Sequence, residues 1–183
     1  SVMLRPTATQ LPFMNMAATL AVSEALTELT GLAPTIKWPN DVRVNGLKAS
    51  GILIETSIEG GKVGYAIVGI GLNVNFDPSE FPEIAPTATS IIRETGQEAD
   101  RTEVLRVVLE HFDDLYRAVK GGRSLTKEWS ARLETLGRTV QIRWRDTVME
   151  GRAESVDEQG NLVLMRADGT TFTAVAGEVT LQV

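Results

Sequence analysis

The chain has 183 residues, 43% hydrophobic and 23% charged, an ordinary composition for a globular protein of one domain or one domain plus a small appendage. It has no cysteine and a single histidine, His111, which excludes disulfides, thiolate chemistry, a polyhistidine metal site and any serine triad that does not use His111. A net charge of -6 argues against general nucleic-acid binding, and no membrane span or signal peptide is visible, so a soluble, cytoplasmic protein is expected.

The opening Ser1-Val2-Met3-Leu4-Arg5 reads as the interior of an element, as in a fragment or processed product. Residues 10–30 repeat Leu11, Met14, Ala18, Ala21, Ala25 and Leu29 at three- and four-residue steps, which predicts a helix with one apolar face, capped at Gly31. Residues 35–44 read as strand, Pro39-Asn40-Asp41 turn, and strand again, with Asn45-Gly46 as a hairpin turn. Residues 47–58 and 62–75 read as two long strands joined at Glu59-Gly60-Gly61. Their nearly unbroken apolar runs predict burial on both faces. Three prolines make residues 77–87 a loop, and a short helix is expected over 90–95.

Residues 102–120 carry Leu105, Val108, Leu109, Phe112, Leu115, Tyr116 and Val119 at helical spacing, a seam expected to pack on the sheet. His111 beside it reads as a surface histidine rather than a ligand. Another short helix, 125–133, contains Trp129. From Thr139 onward the pattern is all strand: 140–144, 149–156, 162–165, 171–175 and 179–183. Turn residues at Asp146, Gly160, Asp168-Gly169 and Ala176-Gly177 separate these strands. Five short strands at this spacing predict a small SH3-like barrel. The expected division is 1–135 and 136–183.

Three segments could carry chemistry. In Lys37-Trp38-Pro39-Asn40-Asp41, a lysine enters a turn at the edge of a buried sheet and could hold a carboxylate or phosphate as a point charge. The plain alternative is a surface lysine on an edge strand. In Gly69-Ile70-Gly71-Leu72-Asn73, two glycines share one face by the two-residue period. They could admit a flat ligand, with Asn73 further along the same face to hydrogen-bond it. A bulge or a close helix crossing would explain the glycines equally well. In Lys48-Ala49-Ser50-Gly51-Ile52-Leu53-Ile54-Glu55, a strand glycine lies next to a cation, and Glu55 is either buried and paired or open to solvent.

In this order and spacing, the three segments resemble the biotin–protein ligase family. Gly160-Asn161-Leu162, Asp168-Gly169 and Ala176-Gly177-Glu178-Val179 resemble the small C-terminal domain of the same ligases. The resemblance implies an α+β fold, with a mixed sheet flanked by helices and followed by an SH3-like barrel. It implies biotin and ATP as substrates, with Mg²⁺, and formation of biotinyl-5′-adenylate. Biotin then passes to a lysine of the biotin carboxyl carrier protein or domain of acetyl-CoA carboxylase. Lys37, Asn40, Gly51, Gly69, Gly71, Leu72 and Asn73 are implied at the biotin or adenylate, with Lys37 catalytic, and Trp38 is expected to pack. The family's Gly-Arg-Gly-Arg-x-Gly-Arg loop is expected upstream of Ser1, so the chain alone is expected to be weak or inactive. An unpaired sheet edge could then favour a homodimer. Gln182 stands near a position at which some members place a basic residue, which weakens the case for an ATP contact from the barrel. A lipoate-protein ligase relative and a non-catalytic carrier-binding module are the alternatives.

Overall fold

The computed structural model describes residues 1–144, 147–175 and 177–181. Of the turn and terminal residues named above, Asp146, Ala176 and Gln182 lie outside the described residues. The first sheet is built from β1 (Val2–Leu4), β2 (Thr35–Lys37), β3 (Asp41–Val44), β4 (Leu47–Glu59) and β5 (Lys62–Leu72), in the spatial order β1-β5-β4-β3-β2. Every strand pairing in it is antiparallel, and its parallel contacts are the isolated bridges Ile36–Leu133 and Lys48–Ala88. Among the described residues, no helix is long and apolar enough to cross a membrane.

Helix α1 (Phe13–Thr30) packs across β3, β4 and β5 and against α3 (Arg101–Lys120). The expected single apolar face is a correction. Met14, Met16 through Ser23, Ala25 and Leu26 are all buried, so most of the helix circumference is covered. A helix apolar nearly all round has to lie inside. Its hydroxyls remain satisfied because Thr19, Ser23 and Thr27 each donate to the carbonyl four residues back. The helix begins at Phe13, three residues later than its periodicity suggested, because residues 7–11 form turns.

Helix α3 starts where Asp100 accepts from the backbone N–H of Thr102 and Glu103, a strong N-terminal cap. Val104, Val107, Val108, Phe112, Leu115 and Val119 form its buried seam. The seam packs on α1 rather than on the sheet as expected, and Leu105 and Leu109 fall one position off it, 58% and 37% exposed. They line a groove between α3 and β5 instead. His111 is half-buried and bridges the helices, with Nδ1 3.3 Å from Glu24 and Nε2 2.8 Å from Glu28 on α1. It is an interhelical brace rather than a free surface residue. Two short helices, α2 (Ile91–Thr95) and α4 (Thr126–Ser130), complete the layer.

The expected two-sided burial of β4 and β5 is also corrected. Ile52, Ala66 and Val68 face the helices and are buried, whereas Leu53 on the other face is 63% exposed and Glu55 is exposed. The apolar run continues through the open face because glycines stand there.

The second sheet comprises β6 (Thr139–Trp144), β7 (Thr147–Val156), β8 (Leu162–Met165), β9 (Thr171–Ala174) and β10 (Glu178–Leu181). Its order is β10-β6-β7-β8-β9, the SH3-like unit. The chain reaches it along β2. Ile36 N–H donates to Arg132 O, Glu134 N–H donates to Ile36 O, and Trp38 N–H donates to Thr135 Oγ1. That pairing starts the second sheet beside Lys37.

Candidate functional site

Strand register sets a row of four residues across the open face of the first sheet. Lys37 lies opposite Asp41, Asp41 opposite Gly51, and Gly51 opposite Gly71. Directly opposed residues in antiparallel strands project to the same face. Gly69, opposite Leu53, is the next position along that face. A Cβ built on Gly71 would meet only the Gly51 carbonyl, at 3.6 Å. One on Gly69 would meet Leu53 at 3.5 and 3.8 Å and Ser1 Oγ at 3.8 Å. The centre of this face is therefore a shelf of bare backbone.

A bulge brings a cation to the shelf. Val42 pairs with Ser50, but Arg43 pairs with Lys48, so Ala49 is an extra residue in β4. Regular alternation would send Lys48 and Gly51, three residues apart, to opposite faces; the bulge returns both to one face. The backbone of Lys48 is fixed on its outer side, accepting from Thr89 N–H and donating to Thr87 O. Its ammonium lies 2.6 Å from Asp41 Oδ1. It occupies space that a side chain at Gly51 would take, since a Cβ there would be 2.9 Å from Lys48 Nζ. The Lys48 side chain is 47% exposed and available to a ligand on the shelf.

Lys37 is half-buried and stands two strands away, at the β2 end of the same row. It lines a cavity of about 480 Å³ with Arg43, Glu134, Arg138 and residues 179–181 of β10. Arg43 pairs with Glu134, whose other oxygen accepts from Thr35 Oγ1 at 2.7 Å. Lys37 has no side-chain partner among the described residues.

The turn after Lys37 is held from three sides. Asn15 of α1 donates to Pro39 O at 2.7 Å. Asn40 Nδ2 donates to Ile52 O at 2.6 Å, and Ile52 N–H returns a bond to Asn40 O at 3.0 Å. Asn40 is thus engaged as a clamp between the turn and β4. Trp38 is buried, as expected of a packing residue, and its indole donates to Gly160 O at 2.9 Å. Gly160 sits at φ +82° in the β7–β8 turn, and a Cβ there would fall 2.5 Å from Met16 Cε and 3.3 Å from Trp129. Only glycine lets the turn of the second sheet approach so closely.

The structure brings together Lys37, Gly51, Gly69 and Gly71, with Asn40 bracing the turn beside them. Leu72 and Asn73 are not on the shelf. Leu72 faces the helices, and both residues line the 640 Å³ groove between β5 and α3. Asn73 lies just past β5, where Nδ2 donates to Thr89 O at 2.9 Å and its N–H donates to Ala49 O. Lys48, the cation of the third segment, joins the shelf although the resemblance does not imply it at the biotin or adenylate. Its signal was Gly51, the one strand position where a neighbouring cation needs room.

The Biotin/lipoate A/B protein ligase family profile matches residues 1–73, and the Biotin protein ligase C terminal domain profile matches residues 135–181. The chain is 34% identical over 161 residues to the bifunctional ligase/repressor BirA of Bacillus subtilis, covering 86% of this chain and 50% of that protein. It is 30% identical over 174 residues to the biotin–[acetyl-CoA-carboxylase] ligase of Mycobacterium tuberculosis, covering 91% of this chain and 61% of that one. The chain thus spans about half the length of the first of these relatives. The biotin protein ligase of Aquifex aeolicus, solved in complex with biotin and ATP, superposes with a TM-score of 0.80 at 32% identity over 98% of this chain and 75% of that one. On fold, register and these matches, the chain belongs to the biotin protein ligase family.

Proposed function

We propose that the chain provides the sheet face on which an ATP-dependent biotin–protein ligase forms and holds biotinyl-5′-adenylate. The observation that carries this reading is the Lys48 ammonium, fixed by Asp41 above Gly51 at the end of an open glycine shelf. A flat bicyclic ring fits against bare backbone at Gly69 and Gly71. An ammonium at the shelf's end meets the carboxylate that such a ring carries on its side chain.

In the first step, a biotin carboxylate oxygen bonds to the α-phosphorus of ATP. The bond from the α-phosphorus to the oxygen that bridges to the β-phosphorus breaks, and pyrophosphate departs with that oxygen and the electron pair. Two anions must meet, and Lys48 and Lys37 lower their repulsion and stabilise charge in the transition state. Asp41 keeps Lys48 in place. In the second step, a lysine amine of a biotin carrier domain attacks the acyl carbon, AMP leaves, and the amine loses its proton. Mg²⁺ belongs with the triphosphate. Asp41 is engaged with Lys48, and among the described residues no three His, Cys, Asp or Glu groups cluster as metal ligands. The working division is 1–135 for the ligase core and 136–183 for the SH3-like unit.

The test is biotin binding to this chain by calorimetry, with lipoate as competitor, alongside biotin-dependent ATP–pyrophosphate exchange. Saturable biotin binding that Lys48→Ala weakens supports the reading. No biotin binding by the folded chain, or equal binding of lipoate, removes it.

A further inference from the structure

We propose that Glu94 of α2 is a positioning residue for biotin activation, holding the bulge of β4 so that Lys48 stays on the shelf. The proposal deepens the ligase reading and rests on it for the role of Lys48. Its own evidence is one carboxylate that ties separate segments together. One oxygen of Glu94 accepts from Asn45 Nδ2 at 2.6 Å, in the turn between β3 and β4. The other accepts from Thr89 Oγ1. Thr89 is fully buried. Its N–H donates to Lys48 O at 2.9 Å, and its own O accepts from Asn73 Nδ2 at 2.9 Å. Glu94 thus links the hairpin turn that precedes Lys48 to the segment that holds Lys48 from outside.

The bulge is what needs holding. An extra residue in one strand is a local choice of register, and moving it turns the neighbouring side chain to the other face. Ala49 is the extra residue only while Lys48 pairs with Arg43 on one side and with residues 87–89 on the other. Asp41 holds the Lys48 ammonium, but an ion pair this exposed does little to fix the backbone. A carboxylate offers two acceptor oxygens at a fixed spacing. Glu94 therefore sets the distance between the Asn45 turn and Thr89. Removing it leaves the buried Thr89 hydroxyl without its acceptor and frees the turn from the segment. Lys48 then leaves its place over Gly51 for part of the time, and the cation no longer meets the biotin carboxylate at one point.

The test measures the biotin affinity of the full chain by calorimetry. Glu94→Ala should weaken it on the order of tenfold, within the range for groups that share one hydrogen-bond network. Glu94→Gln should keep most of it, because the Asn45 amide can turn its oxygen toward the new N–H. Asn45→Asp sets carboxylate against carboxylate and should weaken binding. Glu94→Gln in that same chain should restore it, since the amide donates to one side and accepts from Thr89 on the other. Glu98→Ala, exposed beyond α2, is the control and should change nothing. In a Lys48→Ala background, Glu94→Ala should cost nothing more, whereas a merely structural role adds its loss there too. That added loss, a failed restoration, or unchanged affinity in a folded Glu94→Ala chain overturns the proposal and leaves the ligase reading standing. If Glu94→Ala does not fold, Asn45→Asp and its restoration decide. No biotin binding by the folded parent removes the ligase reading. Amide hydrogen exchange then judges the brace alone. The N–H groups of Lys48 and Thr89 should exchange faster in Glu94→Ala and Asn45→Asp, and unchanged rates in both overturn it.

Discussion

Lys48 and Asp41 form an ion pair, Nζ to Oδ1 2.6 Å, over a glycine whose absent side chain makes room for it. The pair is partly exposed and contributes little to stability. Its value is positional. Lys48→Ala should lower biotin-dependent ATP–pyrophosphate exchange on the order of 10²–10³-fold, the usual cost of losing one preorganised electrostatic donor. The thermal midpoint should barely move. An unchanged exchange rate takes Lys48 out of the chemistry.

The shelf itself can be filled. Gly71 lies in regular strand conformation with open space above it, so Gly71→Val is compatible with folding and even matches strand preference. Biotin affinity measured by calorimetry should fall at least tenfold while stability is held or rises. Gly51→Ala tests the same face differently, because its methyl group displaces the Lys48 ammonium. It should weaken the exchange reaction more than biotin binding, and the reverse pattern would count against the assigned roles.

Trp38→Phe removes the indole N–H that bonds to Gly160 O. A buried carbonyl left without its donor costs about 1–3 kcal/mol. Urea denaturation should register that loss, and a change below about 0.5 kcal/mol would mean that water replaces the bond.

Glu24 of α1 has its carboxyl pushed above the usual range, chiefly by burial, against the opposing pull of Arg132 and His111. The folded state therefore holds a proton on Glu24 more readily than the unfolded chain does. Its stabilising contribution is present below the ordinary glutamate range and lost as pH rises through the raised value. Glu24→Gln cannot ionise. The stability difference between variant and parent should shift in favour of the variant as pH rises from below 4.5 into the range above it. Denaturation curves across that window check the sign.

The strands, the long helix and the Lys37–Asp41 turn were legible because each rests on local chemistry: alternation, a strong cap at Asp100, proline and glycine placement. Lys48 was not, because the extra residue at Ala49 appears only when β3 and β4 are paired, and it inverts the alternation from which faces are read. The partner of α3 is not legible, because an apolar stripe does not reveal which layer it meets, and the seam packs on α1 while Leu105 and Leu109 stay outside it. The engulfment of α1 depends on layers formed by residues far away in the chain. Asn73 seemed to continue the glycine face, but β5 ends one residue before it, and its amide is taken by Thr89 O. Gly160 looked like an ordinary turn residue, since its closeness to Met16 and Trp129 is a tertiary fact.

The indole of Trp38 and the ring of Trp129 meet the same β7–β8 turn, and both are shielded from solvent in the folded chain. The two sheets cannot part without wetting these chromophores. With Trp144 replaced by Phe, emission from Trp38 and Trp129 is therefore a built-in gauge of their separation. Its red shift should coincide with the loss of far-ultraviolet circular dichroism in one cooperative transition, with the SH3-like unit and the glycine shelf melting together.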